Sequence, residues 1–255
     1  MSDAVAAKVA LDRVKHGITG YNWLGGNQPF AKFNCTDHYD IAAGEWKIPR
    51  SELPLTLLSK GQLELIERAI LQIEAAAVPG DLVEAGVWRG GAVVLMRAVL
   101  EAHALSERTV WATDSFSGIP PSTRFAADPV NTWKDRWEAP LDEVREAIAG
   151  YGYLDERTRF LPGYFEDTLP ALIDERFALI RLDSDAYDSV RCSLEQLYPL
   201  LSSGGIIIID DWHLLSCRMA VQNYRMLHGI ESELTVTAGN AWWVKQEAYA
   251  LPPRP

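Results

Sequence analysis

GGIIIIDDW, residues 204–212, is the stretch that decides the fold. Four isoleucines in succession leave no polar face, so the strand at 205–209 is buried on both sides, and two aspartates stand directly at its carboxyl end. A strand of this kind belongs to a parallel sheet with helices packed above and below it. Working outward, FALIRL at 177–182 is a second apolar strand, ending at Asp183, and residues 187–198 form the helix between the two, closed by Pro199. Further upstream the alternation continues. Strands are expected at 81–86, 109–113 and 159–163, and helices at 62–76, 90–102 and 165–173. Downstream, a helix at 216–228 precedes two strands, 234–236 and 242–245, with no helix between them, so one of these pairs antiparallel. Right-handed crossovers make the whole a doubly wound, mostly parallel α/β sheet.

Residues 1–60 read differently. The segment 17–49 holds Tyr21, Trp23, Phe30, Phe33, Tyr39 and Trp46 with no clean period, which predicts an irregular arm with short helical pieces. Residues 61–255 carry the sheet. Residues 118–140, with Pro120, Pro121, Pro129, Trp133 and Trp137, are too long for an ordinary strand-to-helix link and read as a lid at a strand's carboxyl end. The arm's aromatics either pack or line a site, and such a surface predicts a homo-oligomer.

The 255-residue chain has 24 Lys and Arg against 35 Asp and Glu, a net charge of −11, which argues against nucleic acid as a partner. Cys35, Cys192 and Cys217 form neither a disulfide framework nor a zinc pattern. No apolar run is long enough to cross a membrane, and the first twelve residues lack a signal peptide's apolar stretch, so a cytoplasmic enzyme is expected.

Ligands of doubly wound sheets bind outside the carboxyl ends of the strands. Those ends hold Glu84, Asp114, Gly163, Asp183 with Asp185, and Asp210 with Asp211. Helix capping explains any one acid among them but not the set. The turn EAGVWRGG at 84–91 is neither a dinucleotide GxGxxG nor a phosphate loop. Asp114 stands where nucleoside-binding sheets hold ribose hydroxyls, and a cofactor without phosphates suits so acidic a site. Asp183, Asp210 and Asp211, from two strands expected to be neighbours and with no Lys or Arg expected beside them, would repel one another unless a hard cation sat between them. All-oxygen ligation suits Mg²⁺, Mn²⁺ or Ca²⁺. Asp185 is the candidate general base, though the turn could put either Asp183 or Asp185 on the metal. His213 either faces the same cleft or is an ordinary loop histidine.

VEAGVWRGGA (83–92), ATDSFSGIP (112–120), RFLPGYFEDTLP (159–170), RLDSDAYDS (181–189) and GGIIIIDDW (204–212) together resemble the macrocin O-methyltransferase family, over roughly residues 60–245. The resemblance implies a class I, Rossmann-like S-adenosylmethionine-dependent methyltransferase fold with a lid insertion and a Mg²⁺ site. It also implies action on a deoxysugar hydroxyl of a glycosylated antibiotic of macrolide, aminocoumarin or enediyne type. Carried over by position, Glu84 and Gly86 line the cofactor site, Asp114 holds the ribose, and Ser115 and Phe165, with the Gly163 turn, flank the adenosyl group. Asp183, Asp210 and Asp211 bind metal and Asp185 is the base. Ser184 and Trp212 depart from the family's usual Gly and Tyr. The rival readings are a nucleotide-sugar or NAD-dependent enzyme on a similar sheet, and a non-catalytic cofactor-binding module.

Overall fold

Seven strands form one sheet in the order β5-β4-β3-β6-β7-β9-β8. They are β3 (Asp81–Ala85), β4 (Val110–Asp114), β5 (Thr158–Pro162), β6 (Phe177–Leu182), β7 (Leu201–Ile209), β8 (Thr235–Thr237) and β9 (Asn240–Val244). The computed structural model describes residues 3–19, 39–40, 45–49, 52–105, 107–133 and 137–246. Of the aromatic arm, Tyr21, Trp23, Phe30 and Phe33 therefore lie outside the described residues. A two-stranded ribbon, β1 (Tyr39–Asp40) with β2 (Glu45–Trp46), stands apart from the sheet.

The sheet is parallel from β5 to β7, and both terminal strands run antiparallel, β9 against β7 and β8 against β9. The side-chain period of two divides the strands between two cores. Leu82, Val110, Ala112, Leu179, Ile206 and Ile208 face one layer, shared with the helices Asp3–Thr19, Lys60–Ala75, Gly91–Ala102 and Leu141–Gly150. Val83, Ala85, Trp111, Ile180, Leu182, Ile207 and Ile209 face the other, against the helices Tyr187–Leu197 and Leu215–Leu227. The four isoleucines of β7 are fully buried, and each contributes about 1.5–3 kcal/mol by leaving water.

Three elements differ from the sequence reading. The helix Asp3–Thr19 occupies the start of the expected arm and packs on the helix Gly91–Ala102, with Ala7, Leu11 and Ile18 buried at helical spacing. The helix Leu141–Gly150 follows the lid segment and buries Val144 and Ile148. The expected helix at 165–173 is an α turn, Phe165–Thr168, followed by a 3-10 turn, Leu169–Leu172, because Pro170 lacks the amide a continuing helix needs. Among the described residues no helix is long and apolar enough to cross a membrane.

Candidate active site

Strand order reverses between β3 and β6, which opens a crevice above their carboxyl ends. Gly86, one residue past β3, has φ +94°, and a Cβ there would lie 1.7 Å from the carbonyl oxygen of Asp183. The two chains leaving β3 and β6 touch, and glycine alone fits. Five other residues just past strand ends hold positive φ without being glycine: Trp88 (+46°), Phe116 (+53°), Asp185 (+54°), Asp211 (+50°) and Ala238 (+53°). Each costs on the order of 1–3 kcal/mol and persists only where its surroundings over-determine it. Trp88, Asp185 and Asp211 line one cavity of about 600 Å³.

That cavity brings together most of the residues singled out from the sequence. Glu84, Gly86, Asp114, Ser115, Phe165, Asp183, Asp185, Asp210, Asp211 and His213 line it. Gly163 does not. It turns the chain out of β5 at φ +135°, where a Cβ would press on the Thr168 side chain at 2.5 Å. Of the lid segment, Gly118, Ile119, Pro120, Trp133 and Trp137 reach the cavity. Trp46 of β2 packs its ring on Trp88 and against the edge of Trp137, so the ribbon, the glycine turn and the lid segment share one aromatic cluster.

Asp114 organises the cofactor side of the crevice. It accepts the backbone N–H groups of Val87 (2.7 Å), Trp88 (3.2 Å) and Phe116 (2.7 Å), tying the turn after β3 to the turn after β4. Burial pushes its carboxyl up, and these three donors pull against that. Ser115 donates to the carbonyl of Gly118 at 2.8 Å, closing the start of the lid segment.

The acids at β6 and β7 sort into two groups. Carboxylate oxygens of Asp183, Asp185 and Asp211 lie within 4.8 Å of one another. Asp210 is turned away from them. One of its oxygens pairs with Arg181, and the other accepts from Gln62 Nε2 at 2.8 Å and from the Asp211 amide at 3.0 Å. The expectation that no Lys or Arg stands nearby is corrected here. Arg181, the penultimate residue of β6 and 1% exposed, is paired with Glu84 and Asp210 and lies 2.9 Å from Asp183. A guanidinium in a strand buried on both faces requires such partners.

Burial dominates the electrostatics. It raises Glu84 to about 8 against the pull of Arg181, and Asp210 to about 6 with help from Asp183. Burial and the adjacent acids hold Asp185 and Asp211 well above the usual carboxylate range. One oxygen of Glu84 and Oδ2 of Asp211 are buried without a hydrogen-bond donor. Three clustered carboxylates with an unsatisfied oxygen among them fit a hard divalent cation, which takes oxygen ligands and removes the mutual repulsion.

The sequence reading missed Arg181, the segment 55–59 and the turn at Ala238 and Gly239, all on the cavity wall. It also missed Gln62, which closes a capping box with Ser59 and donates to both Asp210 and Asn240. The signal for Arg181 was present, as one charge in an otherwise apolar strand.

The model of macrocin O-methyltransferase matches residues 30–245 of this sequence. The chain belongs to the macrocin O-methyltransferase family. The match begins some thirty residues before the stretch whose motifs carry the resemblance, so it takes in most of the arm. The chain is 43% identical over 189 residues, 72% of each protein, to the 8-demethyl-8-(2,3-dimethoxy-alpha-L-rhamnosyl)-tetracenomycin-C 4'-O-methyltransferase of Streptomyces olivaceus. It is 41% identical over 195 residues, 74% of each, to the demethyldecarbamoylnovobiocin O-methyltransferase of Streptomyces niveus. Among solved structures, that of the O-methyltransferase NovP matches with a TM-score of 0.79 at 34% identity, over 94% of this chain and all of the other. The sheet is thus that of the class I S-adenosylmethionine-dependent O-methyltransferases, and the chain is a methyltransferase.

Proposed function

We propose that this enzyme transfers a methyl group from S-adenosylmethionine to a deoxysugar hydroxyl of a glycosylated natural product, with a divalent cation, Mg²⁺ for preference. The observation that carries this reading is the carboxylate cluster Asp183, Asp185 and Asp211, set in one cavity with the glycine turn at Gly86. The relatives that methylate a rhamnosyl-tetracenomycin and a novobiocin precursor support the sugar acceptor and the antibiotic setting. The net charge of −11 agrees with a small glycoside rather than a nucleic acid.

On this reading Gly86 and the unsatisfied oxygen of Glu84 receive the methionine end of the donor, Asp114 holds the loops under its ribose, and Ser115 and Phe165 bound the adenosine. Asp183 and Asp211 would hold the cation, with Asp210 as the third ligand once its carboxylate turns from Arg181 and Gln62, and the bound ion would supply the acidity that an alcohol needs to meet a carboxylate base. Asp185 takes the hydroxyl proton. Among the described residues no Lys or Arg is paired with it, whereas Arg181 is paired with Asp183 and Asp210, and burial with the neighbouring acids raises its basicity. Trp133, Trp137 and Ile119 close the cavity against water and orient the acceptor, and alignment is the larger part of the expected acceleration. The arrangement itself favours a second assignment, in which Asp185 is the third ligand and Asp210 stays with Arg181 and Gln62. Transfer of a labelled methyl group from S-adenosylmethionine to a panel of deoxysugar glycosides tests the proposal, and failure with every sugar acceptor alongside transfer to another class of hydroxyl overturns it.

A further inference from the structure

The turn at 183–185 carries two of the clustered acids, and Asp185 sits in it at φ +54°. From one side the Asp185 carbonyl accepts from Cys217 Sγ at 2.8 Å and Ser216 Oγ at 3.3 Å, both in the first turn of the helix Leu215–Leu227. From the other side comes a residue of the lid segment. Asp128, 1% exposed, accepts the amide of Tyr187 at 2.8 Å through Oδ2 and the amide of Val130 through Oδ1 at 3.4 Å. Tyr187 opens the helix Tyr187–Leu197, two residues after Asp185. No residue of that helix's own N-terminus caps it by a side chain, so Asp128 supplies the cap from 59 residues away. The link is reciprocal. Asp188, in the first turn of the same helix, accepts from Thr123 N (2.7 Å), Thr123 Oγ1 (2.9 Å) and Arg124 N (3.1 Å) of the lid segment. The segment is itself closed by Asn131, which accepts from Ser122 N and donates to Ser122 O.

A carboxylate buried this deeply next to an acidic cluster is costly unless donors hold it, and a helix N-terminus is the favourable place for it. A local turn at 128–132 needs only the Val130 bond; the bond to Tyr187 serves the other element. We infer that Asp128 is a positioning residue for the reacting centre, which locks the lid segment to the helix after the turn at 183–185 and thereby holds Asp185 in its left-handed conformation. The role for Asp185 rests on the function proposed above, whereas the lock itself does not.

Hydrogen exchange read by mass spectrometry on the full, acceptor-free chain tests the lock without any turnover. In Asp128→Ala the peptide spanning 183–188 should exchange at least about tenfold faster, the scale of a lost helix cap. Asp128→Asn, whose amide oxygen can still accept from Tyr187, should stay near the parent. Asp188→Ala should loosen 122–124 and, because the segment that carries Asp128 is then held less firmly, 183–188 as well. Unchanged exchange at 183–188 in Asp128→Ala, or loosening confined to 122–124 in Asp188→Ala, overturns the inference. If Asp128→Ala does not fold, the comparison of Asp188→Ala with Asp128→Asn decides alone. In methyl transfer, Asp128→Ala should lower kcat by about tenfold or more while the KM for S-adenosylmethionine stays within about twofold, because displacement of a reacting group costs turnover rather than donor binding. Equal loss in both, or no rescue by Asp128→Asn, would make Asp128 merely structural. An absent acceptor reaction with the exchange pattern intact would fault the function and leave the lock standing.

Discussion

Replacing Arg181 by Met nearly keeps the volume and removes the guanidinium that faces Glu84, Asp183 and Asp210. Glu84 and Asp210 would then be buried anions without their cation, a loss on the order of 3–5 kcal/mol when the carboxylates are ionised. For a chain of this size each kcal/mol moves the melting temperature by about 2–4 °C, so Arg181→Met should melt roughly 6–20 °C below the parent at pH 8. The pH dependence has a definite sign. Burial raises both carboxyls in the folded protein, Glu84 to about 8 and Asp210 to about 6, above their unfolded values, so protonation favours the folded state and stability falls as pH rises through those values. Without Arg181 both carboxyls rise further, and the variant's deficit should be largest at pH 8–9 and shrink toward pH 5, where they are neutral. Calorimetric melts of parent and variant at pH 5, 7 and 9 measure this. A deficit under about 2 °C at pH 8, or one that grows on acidification, would refute the account of Arg181.

Gly86→Ala should weaken S-adenosylmethionine binding or prevent folding, because its Cβ meets the Asp183 backbone, and Asp114→Ala should weaken binding clearly by calorimetry without added metal; parent-like affinity in both would remove the turn from the donor site. Asp185→Asn should lower turnover by roughly a hundred- to ten-thousand-fold with little change in metal requirement, whereas Asp210→Asn should raise the Mg²⁺ needed for half activity. Rescue of Asp185→Asn by high Mg²⁺, with Asp210→Asn indifferent, would establish the alternative ligand set. Light scattering at micromolar concentration should give a mass above that of one chain, and a monomer would contradict the reading of the aromatic arm.

The sheet was legible because its signal is local. FALIRL and GIIII are short, apolar and flanked by turn residues, and β6 runs over the expected residues while β7 starts earlier, at Leu201. The strand was expected to begin at Gly205, yet Gly204 is absorbed into it at φ +81°, where the register with β6 slips. Helix Asp3–Thr19 is not among the expected elements although Ala7, Leu11 and Ile18 share one face, because the aperiodic aromatic segment 17–49 governs the reading of the N-terminal region. The acids at the strand ends could be listed from sequence because topology alone brings strand ends together. Which acid faces which could not, since that depends on Arg181 and Gln62, whose partners lie far away in the chain.

The most direct measurement is methyl transfer by the purified chain from labelled S-adenosylmethionine to rhamnosyl and related deoxysugar glycosides, before and after exhaustive chelation and on return of metal. The account predicts transfer to a sugar hydroxyl that disappears with chelation and returns with Mg²⁺ better than with Zn²⁺, as an all-carboxylate site requires. Full activity in the chelated protein would contradict it.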